Sequence, residues 1–341
     1  MTLNDVIRRL ALFAGLIVAC SASPAATPSA SPSATLVVAS PTPTATASPT
    51  IAPTASPTPI ALPSVAQINA PSGSVVWALV GGTRLFRSTD HGDTWQERPV
   101  PAQVTNPLIA FIDDHEGWLA MSGSPVTPCQ SQSIAISHTV DAGATWQALT
   151  VTGIAAPQCK SSITFTDATH GFVTAYAPNA DPLVYRSTDG GQSWTPSSPL
   201  PQPAAGTAHP ADPGRVPVAL RSLGGTLLVD VGGQIGRYAY RSSDGGATWT
   251  YASSAPGQLD QIAFVTATRW LQISAPGASK ESTDAGTTWH AFVTDYQQAA
   301  PVAPAITFGD AQVGYATVRG AIQRTIDGGA HWTAIRTPGT F

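Results

Sequence analysis

Short apolar runs recur along the chain after residue 64, and none lengthens into the amphipathic stretch that a helical solenoid would need. Four segments share one layout: "IAFIDDHEGWLAM" at 109, "ITFTDATHGFVTA" at 163, "IAFVTATRWLQI" at 262 and "ITFGDAQVGYATV" at 306. In each, two β-rich runs flank a turn signal, which predicts a hairpin. A third run follows, as in "LVYRS" at 183 and "YAYRS" at 238, and a fourth starts at a tryptophan, as in "WTYAS" at 249. Strand, turn, strand, loop, strand, turn, strand is the order of one β-propeller blade. Six such units are predicted, at about 64–100, 107–152, 161–198, 216–253, 260–294 and 304–338. The expected fold is therefore all-β, a single propeller of six four-stranded blades. A degenerate seventh is possible only if residues 199–216 or the N-terminal segment supplied strands.

The turn before each fourth strand carries a repeated signature. "RSTDHGDTW" at 87 is echoed at 138, 186, 241, 281 and 324. The aspartates are Asp90, Asp141, Asp189, Asp244, Asp284 and Asp327, separated by 51, 48, 55, 40 and 43 residues. Gly92, Gly143, Gly191, Gly246, Gly286 and Gly329 lie two residues after them, where a tight turn commonly needs a positive φ. An aspartate there is expected to accept backbone N–H groups about two residues on. Ser or Thr four residues on would add a hydroxyl bond, with His331 in its place in the sixth copy. Trp95, Trp146, Trp194, Trp249, Trp289 and Trp332 would wedge beneath the turns. These eighteen residues are read as scaffold.

The pattern S/T-x-D-x-G-x-T/S-W resembles the Asp-box, or bacterial neuraminidase repeat. With the upstream F-x-D-x-x-x-G-aromatic element, the chain looks most like propellers of the photosystem II assembly and stability factor type. That resemblance implies a propeller with the box on the turn between third and fourth strands. It leaves function open, because one fold hosts many activities.

The N-terminus changes the picture of where the protein works. Arg8 and Arg9 precede an apolar run, Leu10 to Ala19, shorter than the roughly 20 residues of a membrane span. It ends at "IVAC", which resembles a bacterial lipobox with Cys20 as the lipidated residue; the alternative is an ordinary export signal cleaved near "SASPAA". Residues 1–20 are thus expected to be a lipoprotein signal peptide. Residues 21–64 are almost wholly Ser, Thr, Pro and Ala, a composition expected to stay disordered as a stalk. At about 3.1 Å per residue it would reach on the order of 100 Å. Residues 65–341 form the propeller. Cys129 and Cys159 fall in loops of one face, either bridged or as two buried thiols.

Charge excludes one class of partner. Only 11% of residues are charged, two are lysine and the net charge is −4, so no nucleic-acid footprint is expected. Successive strands alternate in direction, which puts the 1–2 and 3–4 turns on one face and the 2–3 and 4–1 loops on the other. The chain's three glutamates, Glu97, Glu116 and Glu281, all miss the second face. A sialidase resembles a tyrosine–glutamate site with three arginines, and only "GRVP" at Arg215 echoes its arginine element. Aspartates expected on the loop-rich face are Asp181, Asp212, Asp260 and Asp295. His115 and His170 read as turn residues. Arg87, His138, Arg186, Arg241, Glu281 and Arg324, three before each box aspartate, form either a basic stripe or stems covering apolar surface. No catalytic residue, metal or cofactor is expected. The expected role is non-catalytic binding or assembly of an unidentified protein or glycan outside the cytoplasm, by a monomer touching the membrane only through its lipid. An exported glycoside hydrolase, sialidase-like or xyloglucanase-like, is the alternative.

Overall fold

The computed structural model describes residues 66–101, 106–123, 131–178, 180–203, 212, 214–257, 260–274, 277–296 and 304–340. Cys20, the segment 21–64 and Cys129 lie outside them. Among the described residues there are six four-stranded sheets and no helix. The blades span 66–98, 107–148, 159–196, 216–255, 263–291 and 305–335, and in each the strands pair antiparallel in chain order. The seventh blade that the sequence permitted has no strand among the described residues. Each blade keeps its own fourth strand, so no strand is exchanged where the ring closes.

Burial peaks at the second strand of each blade. Second strands are sandwiched between neighbouring blades, so Val76–Val80 and Gly314–Val318 are buried at every position. A strand covered on both faces loses the apolar–polar alternation of a half-exposed one. Fourth strands lie at the rim; those of blades 2, 3 and 5 shrink to two exposed residues, whereas that of blade 4, Thr250–Ala255, is longer and mostly covered.

The core is divided. Six apolar clusters occur among the described residues, each formed where two blades meet. Between blades 1 and 2, Trp77 stacks flat on Phe111 with ring centroids 3.7 Å apart. Between blades 2 and 3, Trp118 stacks on Phe165 at 3.6 Å. The glycine of the recurring F-x-D-x-x-x-G element makes room for these phenylalanines. A Cβ on Gly117 would sit 2.1 Å from the Phe111 ring, and one on Gly171 would sit 2.5 Å from Phe165. Blade 5 departs from this: Trp270 pairs with Phe264 in the ladder and meets it edge-on at 5.1 Å. Blade 6 closes on blade 1 through Tyr315, Val313 and Ile322 against Ala70, Val76, Val80 and Phe86.

One charged pair interrupts the apolar second strand of blade 4. Asp230 is fully buried and receives both Nε and Nη2 of Arg237, with the Nε bond 2.6 Å long. It also accepts the N–H of Ile262 at the entry to blade 5. Such a pair contributes little relative to apolar residues of the same volume, yet halving it strands a buried charge. Arg237→Met alone should lower unfolding stability by about 3–5 kcal/mol, and adding Asp230→Leu should restore most of it. Urea denaturation of the two variants checks this; equal losses would show that the pair acts otherwise.

Candidate functional site

All six boxes fold alike. The carboxylate accepts the N–H four residues on, from Thr94, Thr145, Ser193, Thr248, Thr288 and His331, at 2.8–3.0 Å. The side chain at that position adds a second bond: a hydroxyl in five boxes and the His331 ring in the sixth. The glycines all have positive φ, between 74° and 100°. Their N–H groups, two after the aspartate, do not reach the carboxylate as the sequence reading expected. They donate instead to Ser88, Thr139, Ser187, Ser242, Ser282 and Thr325, two residues before the aspartate, at 2.8–3.0 Å. Those hydroxyls in turn donate to the carboxylate. The turn is a closed circuit, and its first Ser/Thr is the residue whose role the sequence reading missed.

Each box also grips the blade before it. Trp146 Nε1 donates to Pro99 O, and Thr152 exchanges backbone bonds with Gln192 and Trp194. Ser198 N donates to Ala247 O, and Ser253 Oγ to Gly286 O at 2.6 Å. Thr294 Oγ1 donates to Gly329 O at 2.7 Å, and Asp295 Oδ1 accepts Trp332 N at 2.8 Å. At the seam, Ile335 packs against Gly92 and Arg324 reaches His91 O and Asp93. Asp295 therefore lies against the sixth box, contrary to its expected place on the loop-rich face. The exit segment of a blade folds along the next box before it turns inward.

On the opposite face the loops are knitted together between blades 2 and 4. Buried Lys160 donates to the carbonyls of Gln132, Ala155 and Gln158 at 2.6–2.7 Å, and burial draws its pKa down to about 8. Lys160 N donates to Gln132 Oε1, joining the 2–3 loop of blade 2 to the start of the first strand of blade 3. The adjacent Cys159 is buried and disulfide-bonded. Arg215 is buried and donates to Asp181, Tyr240, Leu200 O and Pro201 O. Asp212 is fully buried; it caps the 2–3 turn of blade 4 by accepting Gln234 N and Ile235 N, and it also accepts the Tyr238 hydroxyl. Asp260 makes no side-chain hydrogen bond among the described residues.

Down the axis, the first strands of all six blades enclose a cavity of about 520 Å³. Its wall mixes Ile, Leu, Val and Phe with Ser, Thr, Asn and Gln, and carries a single charged residue, Arg221.

The BNR/Asp-box repeat family model matches residues 185–196, the third box and its flanking strands. The chain is a six-bladed β-propeller that carries an Asp-box repeat at its third box. No curated protein matches the chain. Among solved structures, "YCF48 bound to D1 peptide" is similar at 20% identity, covering 81% of this chain and 84% of that one, with a TM-score of 0.48. YCF48 from Cyanidioschyzon merolae is similar at 15% identity, covering 79% and 83%, with a TM-score of 0.46. A Trypanosoma rangeli sialidase in complex with the inhibitor DANA is similar at 14% identity, covering 72% and 50%, with a TM-score of 0.49.

The row of residues before the boxes is paired at four of its six positions, while Arg186 and Arg241 make no ion pair among the described residues. Arg87 pairs with Asp114 and Arg324 with Asp93, each on the following blade. His138 meets Glu116, and Glu281 holds Arg269. His115 and His170 sit in turns capped by Asp113 and Asp167. Asp113, Asp114 and His115 cluster closely enough for a cation, but two of the three are exposed and Arg87 already engages Asp114.

The box carboxylates titrate low. At Asp90 the Ser88 hydroxyl and then Thr94 lower the pKa to about 2. At Asp141 and Asp284 the hydroxyl four residues on leads, again to about 2. At Asp189 and Asp327 burial pushes upward and the turn bonds outweigh it, leaving about 2. A carboxyl depressed on folding stabilises above its unfolded value, roughly 4, and that stability is lost as pH falls through the folded value. The melting temperature should therefore drop steeply between about pH 4 and 2, with a shallower drop in Asp141→Asn; calorimetry across pH reads it. Backbone strain gives a second test. Ala285 has φ +57° beside Gly286 at +84°, whose added Cβ would meet Trp270 at 2.4 Å. Ala285→Gly should stabilise by about 0.5–1 kcal/mol and Gly286→Ala should destabilise by about 2 kcal/mol, both measured in urea.

Proposed function

We propose that this Asp-box propeller is a non-catalytic binding or assembly module working outside the cytoplasm, lipid-anchored through Cys20 and raised on the 21–64 stalk. Its partner, a protein or glycan, docks on the face formed by the 2–3 and 4–1 loops. The observation that carries this reading is the state of the carboxylates there. Asp181 is tied to Arg215, and Asp212 is spent capping a turn. Glycoside hydrolysis needs two carboxyl groups across a cleft, roughly 5–10 Å apart and free to act. Asp260 alone is unengaged on this face among the described residues, and the axial wall adds no carboxylate.

What remains on that face suits recognition. Lys160, Arg215 and the Cys159 disulfide make a stiff platform, from which the segments 121–135 and 199–216 run; parts of both lie outside the described residues. Cys129 is the proposed partner of Cys159. Ordered anchoring of loop ends lowers the entropy lost when a partner binds.

Two measurements test this. Full-length protein should retain a partner from envelope extract, lose it when both loops are shortened, and keep it in Asp141→Asn. Hydrolysis of any member of a glycan panel that Asp260→Asn abolishes would replace the binding role with catalysis. For anchoring, cells fed labelled palmitate should label the wild-type protein and leave Cys20→Ala unlabelled; equal labelling would remove the lipid anchor.

A further inference from the structure

The cation in the axial cavity has no counter-ion, a state it shares with Arg98, Arg186, Arg241, Arg319 and Arg336 elsewhere among the described residues. Arg84, Arg87, Arg215, Arg237, Arg269 and Arg324 each meet a carboxylate. Arg221 makes no ion pair and no side-chain hydrogen bond among the described residues, and its Nη1 is shut away from solvent. It lies on the first strand of blade 4, opposite Leu228 in the ladder, on the side facing blade 5. Burial with no opposing anion draws its pKa down to about 10. The residue as a whole is partly exposed, but an unpaired charge with part of its guanidinium shut from solvent is still costly, and folded proteins commonly compensate it with a counter-charge or hydrogen bonds.

The rest of the wall supplies donors and no competing negative charge. Asn69 uses its Oδ1 to accept Phe111 N, and Gln261 uses its Oε1 to accept Ile306 N. Fixing both amides through oxygen leaves their NH2 groups without a partner among the described residues. Ile262 and Phe264 supply apolar wall on the adjoining blade. One guanidinium balances one negative charge, and its planar fork matches a carboxylate. A phosphate dianion would leave excess charge in a half-apolar chamber.

We propose that the axial cavity binds a small monocarboxylate, with Arg221 as counter-ion and the amide of Gln261, at the entry to the adjoining blade, as a further donor. This site is separate from the loop-rich face and does not depend on what docks there.

Calorimetric titration of the full chain with propionate, and with its neutral isostere propionamide, tests it. Saturable propionate binding is expected, with propionamide at least about tenfold weaker. Equal affinity for the two, or no saturable propionate signal, would overturn the proposal, and this comparison needs no variant. Arg221→Met should weaken propionate by about tenfold or more, while Arg221→Lys retains part of the affinity. Undiminished binding in a folded Arg221→Met protein would overturn the site. Tighter binding of inorganic phosphate than of propionate would overturn the choice of a carboxylate. Loss of envelope-partner retention with propionate binding intact would count against the loop-face reading alone.

Discussion

Apolar surface in this protein is buried between sheets and not within them. A four-stranded blade has two faces and no helix to cover either, so each face is satisfied only by the next blade. Stacked Trp77 and Phe111, or Trp118 and Phe165, make contacts that one blade cannot make alone. The chain is consequently bound to complete a ring, because an open series would leave two apolar faces in water. Everything else about the molecule follows from that need.

The boxes answer a related problem at the rim. Apart from that of blade 4, the fourth strands there are short, exposed and poorly held by burial. A turn locked by its own aspartate, hydroxyls and glycine presents a rigid edge, and the exit segment of the preceding blade binds to it. Local turn chemistry thus becomes an inter-blade fastening. It also places the repeated aspartates at the periphery, away from the axis and from the opposite face, where the loops differ from one blade to the next.

Fold was legible because the repeat wrote it six times. Hairpin spacing gave blade limits within a few residues, and the glycine and tryptophan of each box marked the 3–4 turn. The hydrogen-bond circuit was less legible: the Ser/Thr two before each aspartate stood in the motif, but nothing in sequence says which donor reaches which acceptor. Asp295 was misplaced because strand alternation puts an exit segment on the far face, whereas here it doubles along the neighbouring box. Asp230 sat unnoticed inside an apolar run whose counter-charge, Arg237, comes from the next strand. Arg221 looked like any strand arginine, since isolation from carboxylates is a property of three dimensions.

The closure between blades 6 and 1 involves side chains and loop carbonyls, such as Arg84 to Gly339 O, and no shared β-ladder. Most propellers that swap a strand commit their termini to one blade; this ring makes no such commitment. Its six junctions are interchangeable in kind, so the point at which the polypeptide starts is topologically arbitrary. A gene rearranged to join the present ends and open any other 4–1 connection would encode the same wheel.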